Sequence, residues 1–146
     1  MDSGKFYDLA VDLSSVNSAA EQRSATSRAY YSAFHISCEL LHSIGITLPK
    51  SDKCHEKVPW VLENSGDMDV KAAGIKLGSL RGDRNTADYK LSNHKAENQK
   101  NVALHIQSAD EIIDCVGSCF AGKPKAATHA AMRSYAQNTL GWLLYN

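Results

Sequence analysis

The residues best suited to chemistry lie in the segment 79–90, which reads SLRGDRNTADYK. Arg81 and Arg84 are one helical turn apart, and Asp88 follows Arg84 by one further turn. A guanidinium group binds a carboxylate or a phosphate through two parallel hydrogen bonds, so two arginines on one face can hold an anion. The alternative is a solvated helix end, in which Arg84 and Asp88 form an exposed pair worth roughly 0.3 kcal/mol.

A second chemical segment, 27–35, reads SRAYYSAFH. Arg28, Tyr31 and His35 are spaced to lie along one flank of a helix. Burying a guanidinium, a phenol and an imidazole is costly unless they form hydrogen bonds or line a cleft. The segment therefore indicates either a polar site or a set of satisfied core residues.

The apolar spacing that must position these residues is helical along nearly the whole chain. A first stripe begins at Phe6, and a long amphipathic helix begins after Ser18, which forms a capping box with Glu21. Gly45 follows the last apolar position of that helix, where a left-handed C-terminal cap is expected. Further stripes cover the ranges 70–80 and 102–120.

Three boundaries depend on proline and glycine. Pro59 lies inside the predicted short helix 54–64, so that helix must start late or kink. Gly122 is expected to end the fifth helix, with Pro124 in the first turn of a last helix covering about 125–144. No strand-like alternation of useful length occurs. We expect an all-α, antiparallel bundle of about five helices, with a bundle over 1–122 and a C-terminal helix over 123–146 packed on the same domain.

Gly74, Gly78 and Gly82 are four residues apart and would line one face of the helix that carries the arginines. Each glycine costs about 1 kcal/mol relative to alanine inside a helix. The spacing favours close approach of another helix, either in the same chain or in a second subunit. The alternative is that Gly82 simply ends the helix.

Composition narrows the function classes. The chain has 16 basic and 16 acidic residues, so it has no long-range field for nucleic acid or for a membrane. The sequence shows no membrane span and no secretory signal, which predicts reduced thiols in a cytoplasm. Cys115 and Cys119 would share a helix face, but no second pair completes a metal site, so structural cysteines and no metal are expected.

Three separated segments together resemble the HEPN domain family of small prokaryotic helical proteins. They are SRAYYSAFH, GITLPKSDKCHEKV and LGSLRGDRNTADY, in the family's order, and the resemblance covers residues 5–120. It implies a four- or five-helix bundle that pairs into a homodimer. Many members are metal-independent endoribonucleases that need no cofactor, often toxins encoded beside a nucleotidyltransferase antitoxin, or parts of anti-phage defence.

The resemblance also assigns residues. The family's active site pairs an arginine with a histidine four to six residues later, contributed by both subunits across the dimer cleft. Arg84 takes the arginine position, but residues 89–91 contain no histidine, and His94 is the nearest one downstream. The expected catalytic set is Arg84, Asn85, Asp88 and Tyr89, and the expected substrate-binding set is Arg81, Arg28, Tyr31, His35 and His55.

Two functions remain open at this level. The first is a protein that cleaves or binds RNA, with Arg84 on the phosphate. The second is a non-catalytic helical module that dimerises or binds a nucleotidyltransferase. The missing histidine and the zero net charge favour the second, whereas the two-arginine cluster on a glycine-bearing helix favours the first.

Overall fold

The computed structural model describes residues 1–146 and confirms the all-α bundle. Six α-helices are present: α1 Gly4–Ser14, α2 Ala19–Ser43, α3 Cys54–Glu63, α4 Met68–Tyr89, α5 Gln99–Gly117 and α6 Ala126–Asn138. A 3₁₀ turn, His94–Glu97, connects α4 to α5. Two short strands, β1 Ile46–Thr47 and β2 Leu143–Leu144, pair antiparallel. None of the helices combines the length and the apolar character that crossing a bilayer requires.

Helix α2 is the centre of the bundle, because α1, α4 and α5 all pack against it. A single core of 24 buried residues draws on all six helices. Its largest fully buried side chains include Tyr30, Leu41, Leu77, Ile112 and Met132. The helix that carries Arg28 and the helix that carries Arg84 are therefore held against each other by a shared apolar core.

The ends of α2 lie where the sequence predicts them. Ser18 is the extended residue before the helix, although its side chain forms no capping hydrogen bond. Instead Gln22 donates to the carbonyl oxygens of Ser14 and Val16 and fixes the α1–α2 turn. At the other end Gly45 has φ +89°, the left-handed conformation expected of a C-terminal cap.

The three glycines of α4 have different surroundings. A Cβ at Gly74 would lie 2.7 Å from the carbonyl oxygen of Pro59 and 2.9 Å from the amide nitrogen of Glu63, so α3 and α4 are in backbone contact there. A Cβ at Gly78 or Gly82 would meet nothing within 4 Å. Close approach is confirmed for Gly74, whereas the other two glycines face open space within this chain, and Gly82 does not end the helix.

Pro59 neither delays α3 nor ends it, so of the two expected outcomes, a late start or a kink, the late start is wrong. The helix begins at Cys54 and runs on through Pro59, which is buried. The proline therefore lies inside the helix, and its main-chain carbonyl oxygen makes the close approach to Gly74 of α4.

The C-terminal boundaries also differ from the prediction. Helix α5 ends at Gly117, earlier than the expected 120, and Pro124 precedes α6 rather than lying in its first turn. The last helix ends at Asn138 instead of 144. Gly141 has φ +70°, and the chain turns back so that Leu144 pairs with Ile46. The leucines after Asn138 mimic helical spacing, but they belong to this turn and to β2.

Arg23 is a buried cation that stabilises the bundle. It is 8% exposed, and its Nε donates to Glu97 at 2.9 Å. Its Nη atoms donate to main-chain carbonyls of Ala87, Leu91 and Asn93 at 2.9–3.1 Å. Because every edge of this guanidinium has an acceptor, Arg23 fastens α2 to the end of α4 and to the 3₁₀ turn.

Candidate functional site

Most of the residues singled out from the sequence lie in one cluster where α2, α3 and α4 meet. The cluster contains polar and aromatic side chains from three helices: Ser27, Arg28, Tyr30, Tyr31, Phe34 and His35 from α2, His55 from α3, and Arg81, Arg84 and Asp88 from α4. We call this group the arginine–aromatic cluster. The two segments that suggested chemistry are therefore parts of one site.

Arg84 lies at the centre of the arginine–aromatic cluster. Its guanidinium carbon is 5.1 Å from the ring centre of Tyr30 and 5.3 Å from that of Tyr31, within cation–π range of both. The residue is only 7% exposed, and its buried Nε has no hydrogen-bond partner. Asp88 approaches Nη1 to only 4.0 Å, the outer limit of an ion pair. The i,i+4 pair expected from the sequence is thus confirmed, but its arginine is buried rather than solvated.

Arg81, one turn before Arg84, repeats this feature. Its Nε is also buried without a hydrogen-bond partner. Unpartnered buried donors are rare in folded proteins, and each one calls for a specific explanation such as a bound water or ion. Two of them, one turn apart on α4, leave the site short of an acceptor.

His55 reaches the cluster through Tyr30. The Tyr30 hydroxyl and His55 Nδ1 are 2.7 Å apart, and the imidazole stacks on Phe34 with ring centres 4.2 Å apart. Burial is the main cause that lowers the pKa of His55, with the nearby Arg84 and Arg81 charges acting in the same direction. The imidazole is accordingly neutral at pH 7, because its pKa lies below the ordinary value of about 6.5.

The tautomer of His55 follows from the needs of Tyr30. Burial raises the pKa of Tyr30 to about 12, so the hydroxyl keeps its proton and must donate it. Arg84 next to it can only donate, so His55 Nδ1 is the acceptor for this hydroxyl, and leaving the buried donor unpaired would cost about 1–3 kcal/mol. The neutral ring therefore accepts at Nδ1 and carries its hydrogen on Nε2. In this state His55 is a hydrogen-bond donor rather than a free base.

Asp88 is the one carboxylate joined to the cluster by hydrogen bonds. Ser27 donates to its Oδ2 at 3.1 Å, and Arg28 donates to the Ser27 hydroxyl at 3.3 Å. The Asp88 side chain is 29% exposed. It links the two arginine-bearing helices without saturating the guanidinium of Arg84.

Arg28, Tyr31 and His35 share one flank of α2, as their spacing predicts. The Arg28 guanidinium lies 5.0 Å from the Tyr31 ring centre, and Tyr31 stacks on His35 at 5.9 Å. Phe6 of α1 stacks on His35 at 5.6 Å with the rings 18° apart. Burial, aided by Arg28, lowers the pKa of His35 against the opposing effect of Glu39. The rings of Phe6, Tyr31 and His35 thus form a compact group beside Arg84, with pairwise ring-centre distances of 5.6, 5.9 and 6.4 Å.

Two members of the expected catalytic set stand apart. Tyr89, the last residue of α4, is 73% exposed and forms no side-chain hydrogen bond. Asn85 is half-buried and likewise has no hydrogen-bond partner. His94 lies in the 3₁₀ turn and pairs with Glu97 at 3.3 Å. The imidazole whose pKa the Arg84 charge lowers is that of His55, which comes from a different helix.

The sequence predicts no functional role for Tyr30, Phe34, Ser27 or Phe6. Tyr30 is a core residue, with no exposed surface, yet it also orients His55. A signal was present, because a buried tyrosine hydroxyl needs a polar partner. The identity of that partner depends on α3, which the sequence alone does not place.

A second polar group has an acid–imidazole–hydroxyl order but cannot act on a substrate. His105 lies 2.9 Å from the Thr26 hydroxyl and 3.4 Å from Asp83. Thr26 has no exposed surface, so no substrate could reach its oxygen. These contacts fasten α2, α4 and α5 together.

The cysteines are held as thiols. Cys119 is buried and donates to the carbonyl of Cys115 at 3.3 Å, and burial raises the pKa of Cys115 to about 11. No three His, Cys, Asp or Glu side chains are grouped so that they could hold a metal ion.

Comparison with known proteins gives no match, whether with family models, with curated proteins or with solved structures. The case for a function therefore depends on the chemistry of the arginine–aromatic cluster. That cluster groups hydrogen-bond donors and cations from three helices, and the buried Nε atoms of its two α4 arginines lack an acceptor.

Proposed function

We propose that this chain is an RNA-directed, HEPN-type cytoplasmic protein that binds a phosphodiester at the arginine–aromatic cluster. The observation that carries the proposal is the pair of buried, unpartnered Nε atoms of Arg81 and Arg84. A phosphate offers the acceptor oxygens that both Nε atoms lack, and arginine binds it with two hydrogen bonds. Because neither Nε atom has solvent-exposed surface, the side chains around them must move before a phosphate can reach them. His55 Nε2–H adds a neutral donor.

RNA fits the cluster better than a free anion does. Single-stranded RNA is recognised by stacking its bases on aromatic and guanidinium planes while cations hold its backbone. The rings of Tyr31, His35 and Phe6 supply aromatic planes of this kind next to Arg84. Since the chain is neutral overall, the affinity must come from this local group of cations and rings.

A homodimer is part of the same proposal. The resemblance to the HEPN family implies a pairing that brings two copies of the cluster together and doubles the local cationic charge, with Arg84 near the two-fold axis. The open faces of Gly78 and Gly82 do not form that contact, because at about 3.6 residues per turn they lie on the other side of α4 from Arg84. Light scattering at micromolar concentration is expected to give a dimer mass, and a monomer would contradict this part.

Metal-independent cleavage of RNA is the catalytic form of the proposal. Arg84 would neutralise the scissile phosphate while the ribose 2′-oxygen attacks phosphorus and the bond from phosphorus to the 5′-oxygen breaks. For His55 to take the 2′-OH proton at Nε2, the neutral ring would first have to shift its hydrogen to Nδ1 while the Tyr30 hydroxyl rotates. The imidazolium so formed would then give that proton to the leaving 5′-oxygen.

The deciding experiment follows RNA binding and RNA cleavage in EDTA for the wild type and two variants. Arg84→Met should lose most of the binding, whereas His55→Gln should retain binding and lose any cleavage. Arg84→Met that binds and cuts RNA like the wild type would refute the site. Binding without cleavage in the wild type would assign the protein to the RNA-binding form.

A non-catalytic interaction module is the second candidate. The specific observation in its favour is the state of Arg84, which is already enclosed by Tyr30 and Tyr31 and faces Asp88 at 4.0 Å. In that case α4 would dock a protein partner such as a nucleotidyltransferase. An absence of RNA binding, together with a stable complex with a nucleotidyltransferase encoded beside this chain, would select this candidate.

A further inference from the structure

A cleft of about 300 Å³ opens beside Phe6 and His35, where α1 meets α2. Its lining is Met1, Ser3, Phe6, His35 and Glu39. We propose that this cleft is a nucleobase subsite selective for guanine, with Glu39 as the residue that reads the base. The proposal rests on the RNA-directed function and names its substrate class.

The ring surfaces suit a planar aromatic ligand. Phe6 and His35 are stacked 18° from parallel and both line the cleft. Both are only partly buried, so ring surface remains for a base. Every base has a π-face, and stacking on an aromatic side chain is worth about 1–3 kcal/mol per base. Stacking alone would accept any base.

Glu39 supplies the selectivity. A carboxylate only accepts hydrogen bonds, and it has two oxygens side by side. The Watson–Crick edge of guanine presents two adjacent donors, N1–H and the N2 amino group, which match that pair of oxygens. Adenine and cytosine place a ring-nitrogen acceptor beside their amino group, and uracil has a single donor between two carbonyls. The carboxylate would repel those acceptors, so guanine fits best.

The cleft is held in place before any ligand arrives. Ser32 donates to the buried carbonyl of Ser3 at 2.9 Å, which fixes the start of α1 on α2. The Ser3 hydroxyl lies 3.5 Å from Glu39 Oε2, too far for a strong hydrogen bond. Both carboxylate oxygens therefore keep lone pairs for a base. A preformed site loses little ordering entropy when its ligand binds.

The cleft also connects to the phosphate position. Tyr31 contacts both, because its ring centre is 5.3 Å from the Arg84 guanidinium carbon and 5.9 Å from the ring centre of His35, which lines the cleft. Arg28 stands over both Tyr31 and Phe6, at 5.0 and 5.4 Å. An RNA strand whose phosphate meets Arg84 could thus extend past Tyr31 and Arg28 and place a neighbouring base in the cleft.

The test compares a short oligouridylate with the same oligomer carrying one central guanosine or one central adenosine, by fluorescence anisotropy. The wild type should bind the guanosine oligomer at least about tenfold more tightly than oligouridylate, as expected for a bidentate contact to a base. The adenosine oligomer should gain much less. Glu39→Gln should bring the guanosine preference close to one.

The matched control is Glu111→Gln, which removes the same charge at the exposed Lys76 pair of the α4–α5 cleft. Both variants lose one negative charge, so both should bind all RNA slightly better, and only Glu39→Gln should lose the preference. Equal binding of all three oligomers by the wild type, or a preference that survives Glu39→Gln, would overturn the guanine subsite while leaving RNA binding in place.

A second readout separates the two proposals. Guanosine and adenosine are titrated separately into the full-length protein, and the His35 ring resonances are followed by NMR. Shifts with guanosine but not with adenosine support the cleft even if oligonucleotides fail to bind, and in that case only the RNA-directed function falls. If neither nucleoside shifts His35 and no RNA binds, both proposals fail.

Discussion

Replacing Arg84 with methionine should cost far less stability than the same change at Arg23. The two arginines are equally buried, at 7% and 8% exposure, so burial alone cannot separate them. Their partners differ. Arg23 has acceptors on every edge, whereas the Nε of Arg84 has none, and its nearest carboxylate is 4.0 Å away.

The magnitudes follow from those contacts. Arg23→Met removes three hydrogen bonds from a charged group to the carbonyls of Ala87, Leu91 and Asn93, and at about 1.5 kcal/mol each these contribute about 3–5 kcal/mol together. Arg84→Met forfeits two cation–π contacts, worth about 1 kcal/mol each. It also removes a buried unpartnered donor, which returns about 1–3 kcal/mol. The expected net change at Arg84 is within about 1 kcal/mol of zero.

Urea unfolding monitored by circular dichroism measures both changes, and thermal unfolding should show a fall of about 10 °C for Arg23→Met alone. Methionine is the right replacement because it is unbranched and fills a similar volume without a charge. If Arg84→Met were as destabilising as Arg23→Met, the guanidinium would be a structural element. The Arg84 guanidinium would then not be held free for a ligand.

Three further predictions test the structure at other points. Gly78→Ala should raise the free energy of unfolding by about 1 kcal/mol, because the new methyl group meets open space. Gly74→Ala should lower the free energy of unfolding by about 1–3 kcal/mol, because its methyl group would clash with the α3 backbone. A change of the same sign in both variants would contradict this packing. Since the pKa of His55 is lowered on folding, the unfolded chain takes up its proton first, and stability should fall as the pH drops below about 6.5. His55→Gln should flatten part of that slope in urea titrations at several pH values, and an unchanged slope would contradict the pKa assignment. Burial raises the pKa of Cys38 to about 12 and that of Cys115 to about 11. Iodoacetamide at pH 8 should therefore label both thiols far more slowly in the native protein than in urea. Equal labelling rates would contradict their burial.

The local spacing of apolar and polar residues was sufficient to predict the helices and the flank of α2 that contributes to the cluster. A helix repeats its faces every 3.6 residues wherever it lies, so the stripes predict α2 and the contact row of Arg28, Tyr31 and His35. Gly45 could be assigned for the same reason, because a left-handed residue after the last turn is a local requirement.

The C-terminal residues show where local spacing fails. The leucines after Asn138 continue a helical pattern, yet the chain turns at Gly141 and buries Trp142. The pairing of Leu144 with Ile46 joins positions nearly 100 residues apart. No nearby residue encodes that pairing, so a pattern read over a few turns could not have found it.

What the sequence determined by itself is which side chains share a helix face: the two arginines of α4, the polar flank of α2 and the three spaced glycines. Only the tertiary structure decided which neighbour meets each face. It placed His55 against Tyr30, enclosed Arg84 while leaving its Nε without an acceptor, and gave Gly74 a neighbour that Gly78 lacks. The physical reason is that periodicity is set by the backbone within a few residues, whereas burial and hydrogen-bond satisfaction depend on elements far apart in the chain.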